Sequence, residues 1–399
     1  MQTAAVPRMV TTVARSFVAA AAFAYLFDLL RQTHDHLTNG TGRTFGDDFI
    51  NYWSGGYLAL HGRAMEVYSY TGFHAFEQSV AGPATGPYHY SYPPVMLLLT
   101  MPFALLPYVP ALFVWLATSW YAFYRALLLA MPKGGALLLA LATPAVLVNA
   151  IGGQNGAWTA ALLCGALGLI ERRPAVAGVL FGLMIYKPQL GLLLPIALVA
   201  GRHWRVFAST ALTVVVLVAL TALLFGPDVW LIYTHNLALL RQAILEDGTG
   251  VWNRFVSVFV AARLLGASVE TAYVVQTFTG LIACAAVAVV WWRAVSAGIK
   301  NAVLVLGTCL ATPYLQDYDM VFSAIVVAWL MAQPLALCGS ERALLAVCAL
   351  ILLGPLVASA LVNLTGLVFG PLFILPAFVL AVRAGLAPAP AAHLDHCRA

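Results

Sequence analysis

Residues 206–225 read VFASTALTVVVLVALTALLF, a run of 20 residues without a charged side chain. About 20 apolar residues form a helix long enough to cross the hydrocarbon core of a bilayer. The whole chain has 399 residues, of which 62% are hydrophobic and only 9% are charged, whereas roughly one-quarter of an ordinary globular domain is charged. We therefore expect an all-α, polytopic membrane protein.

Similar apolar runs recur along the chain. They predict helices near 14–31, 95–124, 136–151, 157–170, 174–186, 190–200, 206–225, 270–292, 301–312, 320–338, 343–362 and 368–383. The run 95–124 contains Pro102, Pro107 and Pro110, and proline interrupts a helix. We expect half-helices among these segments and roughly ten to thirteen transmembrane helices in one domain over residues 1–384. The Ala- and Pro-rich end 385–399 predicts a disordered tail.

The basic residues indicate an orientation for this domain. With the amino terminus inside and each run crossing once, thirteen of the 20 bases fall inside, together with three of the 15 acids. The inner bases are Arg8, Arg15, Arg125, Lys133, Arg172, Arg173, Arg202, Arg205, Arg293, Lys300, Arg342, Arg383 and Arg398. Cytoplasmic loops of membrane proteins are enriched in such bases. We therefore expect a plasma-membrane protein with a cytoplasmic amino terminus.

The polar clusters between the apolar runs fall on the opposite, extracytoplasmic side. They are Asp47-Asp48, Tyr88-His89-Tyr90-Ser91-Tyr92-Pro93-Pro94, Gly153-Gln154-Asn155, Lys187-Pro188-Gln189, Trp252-Asn253-Arg254 and Gln316-Asp317-Tyr318-Asp319. Two long outer segments, 32–94 and 226–269, mix aromatic and polar residues as amphipathic interfacial helices do. We expect these two loops to form the walls of a site on that face.

Composition and spacing favour neither nucleic acid nor metal as a ligand. The net charge of +5 is distributed as membrane orientation requires. The six cysteines show no CxxC spacing, so we expect no disulfide and no zinc site. His34 and His36 have a spacing that could touch a metal, but a solvated loop is the favoured interpretation. We predict no metal and no cofactor.

Asp47 and Asp48 precede a short predicted helix, where a carboxylate can cap free backbone N–H groups. Two aspartates are not both needed to cap one helix. We expect one of them to cap or hydrate the loop. The other would be a partly desolvated carboxylate with a raised pKa, suited to act as a general base.

Polar residues at three further places in the chain have both a structural and a functional interpretation. Lys187 ends an apolar run and either snorkels to the headgroups or binds a phosphate as a point charge. Gln154 and Asn155 are ordinary turn residues or ligands of sugar hydroxyls. Asp317 and Asp319 match the D-x-D pattern in residue type alone, and they suit a solvated loop as well as a functional site.

Five segments in this order resemble glycosyltransferase family 87, also described as DUF2029. They are Asp48, Phe49, Tyr52 and Trp53; Tyr92, Pro93 and Pro94; Gly153, Gln154 and Asn155; Tyr186, Lys187, Pro188 and Gln189; and Asn253 with Ser257. The resemblance runs from about residue 45 to 320. It implies a GT-C-type fold and a polyprenol-phosphate-mannose-dependent mannosyltransferase, with Asp48 as the carboxylate of the first outer loop that acts as base.

The implied reaction transfers a sugar, such as a hexose, from a polyprenyl-phosphate donor to a lipid or glycan acceptor. Asp48 would deprotonate the acceptor hydroxyl, which attacks the anomeric carbon and inverts it. The residues expected to bind the donor phosphate or sugar are Lys187, Arg254, Gln154, Asn155, Tyr52, Tyr92, Gln189 and Asn253. Those expected in support are Asp47, His89, Asp317 and Asp319.

The main alternative is a transporter or flippase of lipid-linked sugars. Such a protein places ionisable residues near the bilayer midplane and shows duplicated broken helices, whereas here the charges gather at one surface. A sugar-polymer ligase would rely on outer arginines and histidines, and a structural role gives no reason for polar clusters on one face.

Overall fold

The computed structural model describes residues 8–248, 252–334 and 339–387, and within these ranges the regular structure is helical, with only isolated β-bridges. The α-helices are α1 Arg8–Arg31, α2 Phe49–Leu60, α3 Tyr70–Ala81, α4 Pro94–Ala104, α5 Tyr108–Leu127, α6 Lys133–Ala142, α7 Pro144–Ile151, α8 Gly156–Leu169, α9 Pro174–Leu183, α10 Leu194–Ala200, α11 Trp204–Phe225, α12 Asp228–Leu240, α13 Val258–Leu264, α14 Val269–Trp292, α15 Ala297–Ala311, α16 Ser323–Met331, α17 Glu341–Thr365 and α18 Gly370–Leu386. Short 3-10 helices cover Ala64–Tyr68, Met184–Tyr186, Pro188–Gly191, Trp252–Arg254 and Asp317–Phe322, and a π-helical turn covers Arg241–Glu246. The chain is thus all-α over the described ranges.

Four of these helices are long and apolar enough to cross a membrane. They are the segment Thr11–Arg31 of α1 and the whole of α11, α14 and α17. Two bent pairs, α4 with α5 and α6 with α7, raise the number to six if each pair is one span. The flanks of α11 expose large apolar side chains such as Leu212 and Leu223, and exposed apolar surface of this extent is typical of a membrane contact. The protein is therefore a multi-pass membrane protein.

Proline breaks the predicted run 95–124, but at one position rather than three. The bend of 112° between α4 and α5 falls at residues 105–107, just before α5. Pro102 lies inside α4, and Pro110 lies in the first turn of α5, where a missing N–H leaves no helical hydrogen bond unmade. Likewise, the predicted run 136–151 bends by 49° where α7 begins with Pro144.

Three buried clusters hold the described helices together, of which the smallest lies around Phe255 and Phe259. The largest one joins α5, α8 and α9 to α15, α16 and α18, and nearly every residue of α15 and α16 is buried. The second one is aromatic and joins α2 to α4 and α5. A helix that is apolar on all sides suits a buried position, which explains the central place of α15 and α16.

The first outer segment differs from the amphipathic helices that its composition predicts. α3 does bury one stripe, Phe73, Glu77 and Ala81, as an interfacial helix would. α2, in contrast, is buried over most of its length against α4. Residues 385–386 of the predicted tail belong to α18, and its part from 388 onward lies outside the described residues.

A candidate active site built from six chain segments

Two tight turns bring the first outer segment against the turn before α8. Asp47 adopts φ +49°, and Asp48 donates its backbone N–H to the carbonyl of Gly152 at 3.2 Å. Gly153 has φ +58°, and a Cβ there would lie 2.0 Å from the carbonyl oxygen of Gly46. A left-handed residue without a side chain is required where two backbones approach so closely. This contact places Asp48 beside Gln154.

Asp48 ends a chain of charged and polar contacts. Its Oδ2 accepts a hydrogen bond from Gln154 Nε2 and lies 3.4 Å from Arg254 Nη1. Arg254 Nη2 in turn lies 3.4 Å from Asp317 Oδ1. The guanidinium stands 5.4 Å over the ring of Tyr318. One arginine thus bridges two carboxylates and an aromatic face.

The amides and tyrosines of the motifs continue this network. Tyr52 OH donates to Gln154 Oε1 at 2.8 Å and lies 2.9 Å from Tyr92 OH. Asn155 Nδ2 donates to Tyr52 OH at 3.1 Å and to Tyr92 OH at 3.0 Å. The Oδ1 atom of Asn155 accepts from Lys187 Nζ at 3.0 Å. Hydrogen bonds therefore connect Asp48 to Lys187 without a gap.

Lys187 does not snorkel to the surface. Its side chain is 3% exposed, and Nζ lies 2.5 Å from Asp319 Oδ1, whose side chain is fully buried. Nζ also stands 4.5 Å from the ring centroid of Tyr318. Burial lowers the pKa of Lys187 and the charge of Asp319 raises it, with a net lowering. The charge of Lys187 is therefore already matched within the protein.

Asp317 and Asp319 face different cations, although they are two residues apart. Asp317 pairs with Arg254 and Asp319 with Lys187. Both lie in the 3-10 helix Asp317–Phe322, and Tyr318 between them contacts both cations. Burial raises the pKa of Asp317 despite the opposing charge of Arg254. The two aspartates of the D-x-D sequence thus form two separate ion pairs.

The pKa of Asp48 is raised to about 7, chiefly by burial and then by the neighbouring charge of Asp47. Arg254 and Arg43 act in the opposite direction. The side chain remains 29% exposed. In the described part of the chain its side-chain contacts with Gln154 and Arg254 both involve Oδ2, so that Oδ1 can accept a proton from a substrate hydroxyl. A carboxylate with a pKa near neutrality and an accessible oxygen is suited to general base catalysis.

Asp47 has a different role from its neighbour. Its Oδ1 accepts from Tyr88 OH at 2.9 Å, and its Oδ2 lies 3.2 Å from Arg43 Nε. Arg43 also pairs with Asp28 at 2.8 Å. No side-chain hydrogen bond caps α2 in the described structure, although Asp48 occupies the N-cap position. Capping, one of the two roles expected for an aspartate of this pair, is therefore not seen, and Asp47 anchors the loop through Arg43.

Three other predicted residues lie outside the network. His89 is exposed and stacks on Tyr70, with ring centroids 5.0 Å apart. Asn253 is half-buried next to Arg254. Gln189 lines an open pocket of about 240 Å³ above Lys187.

Aromatic side chains form a large part of the walls of this open pocket. Tyr92, Tyr186 and Tyr318 form its floor beside Lys187. Arg241, in the π-helical turn, stands at its rim with a side chain 56% exposed and Nε 3.1 Å from Glu246. An aromatic pocket with a few convergent polar groups is typical of small-molecule sites, and π-helical turns often mark functional positions.

Sequence reasoning missed Tyr318, Arg241 and Arg43. In the sequence, Tyr318 stands only as the residue between two aspartates. An aromatic ring between two carboxylates that can pair with cations is nevertheless a signal for cation–π contacts. Arg241 and Arg43 have no local motif. Their placement depends on contacts between segments that are far apart in the chain.

A model of glycosyltransferase family 87 matches residues 90–313, more than half of the chain. The protein belongs to glycosyltransferase family 87. The matched range includes Tyr92, Gln154, Asn155, Lys187 and Arg254, and it ends before Asp317. Asp48 precedes the range and joins the family residues through Gln154. No curated protein and no solved structure matches the chain at a significant level.

Proposed function

We propose that this glycosyltransferase moves a hexose, such as mannose, from a polyprenyl-phosphate donor to a lipid or glycan acceptor. The observation that carries the proposal is the environment of Asp48. Its Oδ2 is held by Gln154 and Arg254 while its side chain stays partly exposed. The carboxylate is thereby oriented and has a pKa of about 7, which suits a base for an acceptor hydroxyl.

The reaction is an in-line displacement with inversion. Asp48 takes the proton of the acceptor hydroxyl, whose oxygen forms the new bond to the anomeric carbon. The bond from that carbon to the phosphate oxygen breaks, and the lipid monophosphate leaves with the electron pair. Lys187 and Arg254 lie along the network and favour negative charge at the leaving phosphate. Each is already paired with an aspartate, and the exposed Arg241, itself 3.1 Å from Glu246, stands at the pocket as a further cation.

A lipid-linked donor is supported by the cavities beside this site. An apolar cavity of about 150 Å³ is lined by Met96, Phe103, Trp158 and Tyr186. Tyr186 also lines the open pocket above Lys187. A phosphate in the open pocket therefore places the first isoprene units of its chain within reach of an apolar cavity inside the helix bundle.

The proposed architecture is a GT-C-type fold with roughly ten to thirteen membrane-crossing segments, in which the short apolar helices count as parts of spans. The amino terminus lies in the cytoplasm of a plasma-membrane protein, and the site opens on the extracytoplasmic side. The distribution of basic residues supports this orientation.

The test is a donor comparison with purified protein in detergent. Polyprenyl-phosphate hexoses and nucleotide hexoses, each labelled in the sugar, are incubated with lipid and glycan acceptors. We expect label to leave one polyprenyl-phosphate donor and no nucleotide donor. Movement of an intact lipid-linked sugar across vesicles without cleavage would favour the transporter interpretation instead.

A further inference from the structure

A second cavity lies at the far end of the helices that carry the site. It is an open groove of about 590 Å³ between α5, α8 and α9, a volume within the range of roughly 300–1,000 Å³ seen for small-molecule sites. α8 begins next to Asn155 and ends at Leu169, about 20 Å away along its axis. The groove runs along α8 from Trp158 to Leu169, and its Leu169 end lies opposite the end of α8 that carries the candidate active site.

The groove combines an apolar wall with a cationic end. Alanine and leucine side chains, Gly165 and Trp158 line most of its length. Arg125, Arg172 and Arg173 line one end, and all three are exposed. Arg125 comes from the last turn of α5, and the other two follow α8.

These arginines lack acidic partners in the described part of the chain. None of them takes part in an ion pair there. Arg125 donates to Tyr121 OH at 3.1 Å. Glu171, the nearest acid in sequence, is 79% exposed and lies 3.9 Å from His203. The positive charge at this end is therefore not neutralised by a carboxylate of the protein.

We propose that this groove binds one anionic phospholipid, with an acyl chain along the apolar wall and the phosphate at Arg125, Arg172 and Arg173. Basic pockets between membrane helices are suited to such headgroups. The distance from the site places this lipid in the leaflet opposite the donor. The inference concerns binding alone and holds whether or not the proposed donor is correct.

The charge distribution distinguishes this occupant from the donor chain. Trp158 and Leu162 line both the groove and the small apolar cavity that begins at Tyr186, so a long polyprenyl chain could also reach this region. The far end of a polyprenyl chain is apolar, however, and has no interaction that requires three arginines. A phosphate headgroup, in contrast, can pair with these three arginines.

The test compares two lipids with the same acyl chains. Native mass spectrometry of the full chain in detergent measures binding of dioleoyl phosphatidylglycerol and dioleoyl phosphatidylcholine. Each arginine near an anionic lipid contributes about fivefold in affinity. Because the choline of phosphatidylcholine balances the charge of its phosphate, we expect phosphatidylglycerol to bind at least tenfold more tightly. Equal binding of the two lipids would overturn the proposal.

A charge-matched pair of variants locates the binding. The triple variant Arg125→Gln, Arg172→Gln and Arg173→Gln should bind phosphatidylglycerol as weakly as phosphatidylcholine. The control removes the same charge from exposed arginines outside the groove and carries the changes Arg15→Gln, Arg205→Gln and Arg342→Gln. It should keep the preference. Equal loss in both triple variants would show unspecific attraction and refute the site.

A second variant fills the groove and keeps its charges. A Cβ at Gly165 would make ordinary contacts of 3.7 Å and 3.9 Å with Ala126 and Leu180, so Gly165→Leu can extend into the space without breaking the helix packing. It should weaken binding of phosphatidylglycerol at least fivefold. Gly134→Leu, at a position with open space around it, is the control and should bind normally. Displacement of phosphatidylglycerol by excess polyprenyl phosphate would assign the groove to the donor and overturn the proposal.

Discussion

The ion pair of Lys187 and Asp319 leads to a prediction about stability. Lys187 Nζ contacts Asp319 at 2.5 Å, Asn155 at 3.0 Å and Tyr318 OH at 3.4 Å. The two charged side chains are 3% and 0% exposed. The change Lys187→Met leaves the carboxylate of Asp319 buried without its cation, and removing one partner of a buried pair costs about 3–5 kcal/mol.

The double variant Lys187→Met/Asp319→Asn removes the buried charge as well. An asparagine oxygen can still accept the hydrogen bond that Asp319 accepts from the N–H of Gln316 at 3.2 Å. We therefore expect the double variant to recover most of the lost free energy of unfolding. The exposed Lys133 offers a matched control, because Lys133→Met should change stability by no more than about 0.5 kcal/mol.

The assay is denaturant unfolding of the purified variants in one detergent, followed by tryptophan fluorescence. If Lys187→Met unfolds at the same free energy as Lys133→Met, the pair does not stabilise the protein. If the second change lowers the free energy further instead of restoring it, the carboxylate of Asp319 has a stabilising partner other than Lys187. Either result would refute the reasoning.

Three further predictions concern activity and packing. Because the pKa of Asp48 is raised to about 7 and a base must be ionised, kcat/KM for transfer should rise with pH up to about 7 and then level off. A flat profile from pH 5.5 to 8.5 would exclude Asp48 as the general base. Gly153→Ala places a Cβ 2.0 Å from a neighbouring carbonyl oxygen, whereas Gly62→Ala meets open space at a similar φ. The unfolding temperature should fall much further for Gly153→Ala than for Gly62→Ala. Equal decreases would mean that only the backbone angle matters. Arg241→Ala should raise the KM for donor several-fold with little change in kcat, because this arginine lines the pocket. Arg63→Ala breaks a similar exposed ion pair and should leave the KM unchanged. Equal KM values for the two variants would show that Arg241 does not bind the donor.

Much of the site was predictable because its residues occupy helix ends on one face. Asp48, Gln154, Asn155 and Lys187 all follow or precede apolar runs that the topology brings to the same surface. Hydrophobic periodicity and the count of basic residues predict that arrangement. The structure brings these side chains into one network, and its function as a site on that face stays a prediction.

The pairing of individual charges was not predictable. Whether Arg254 contacts Asp317 or Asp319 depends on the rotation of a 3-10 helix and on the closeness of segments 63 residues apart. The same holds for Asp47, whose partner Arg43 has no motif. The local preference for an N-cap predicted a capping aspartate, but neither side chain caps α2 in the described structure, and the tertiary structure pairs Asp47 with Arg43 instead.

The helix breaks show a similar limit. Proline content correctly marked residues 95–124 as interrupted, but three prolines could not all break one helix. Only Pro107 precedes a helix start with the extended conformation that separates α4 from α5, with ψ 151°. Position within a turn, and not the residue type alone, decides whether proline is tolerated.

The measurement that tests the account most directly is the rate of sugar transfer by Asp48→Asn beside Asp47→Asn, both checked for folding in the same detergent. Removal of a general base lowers the rate by about 10²–10⁴-fold, so Asp48→Asn should lose nearly all transfer. Asp47→Asn, which removes an anchoring carboxylate and one charge beside the base, should keep most of it. Transfer at the wild-type rate by folded Asp48→Asn would contradict the assignment of this residue as the base.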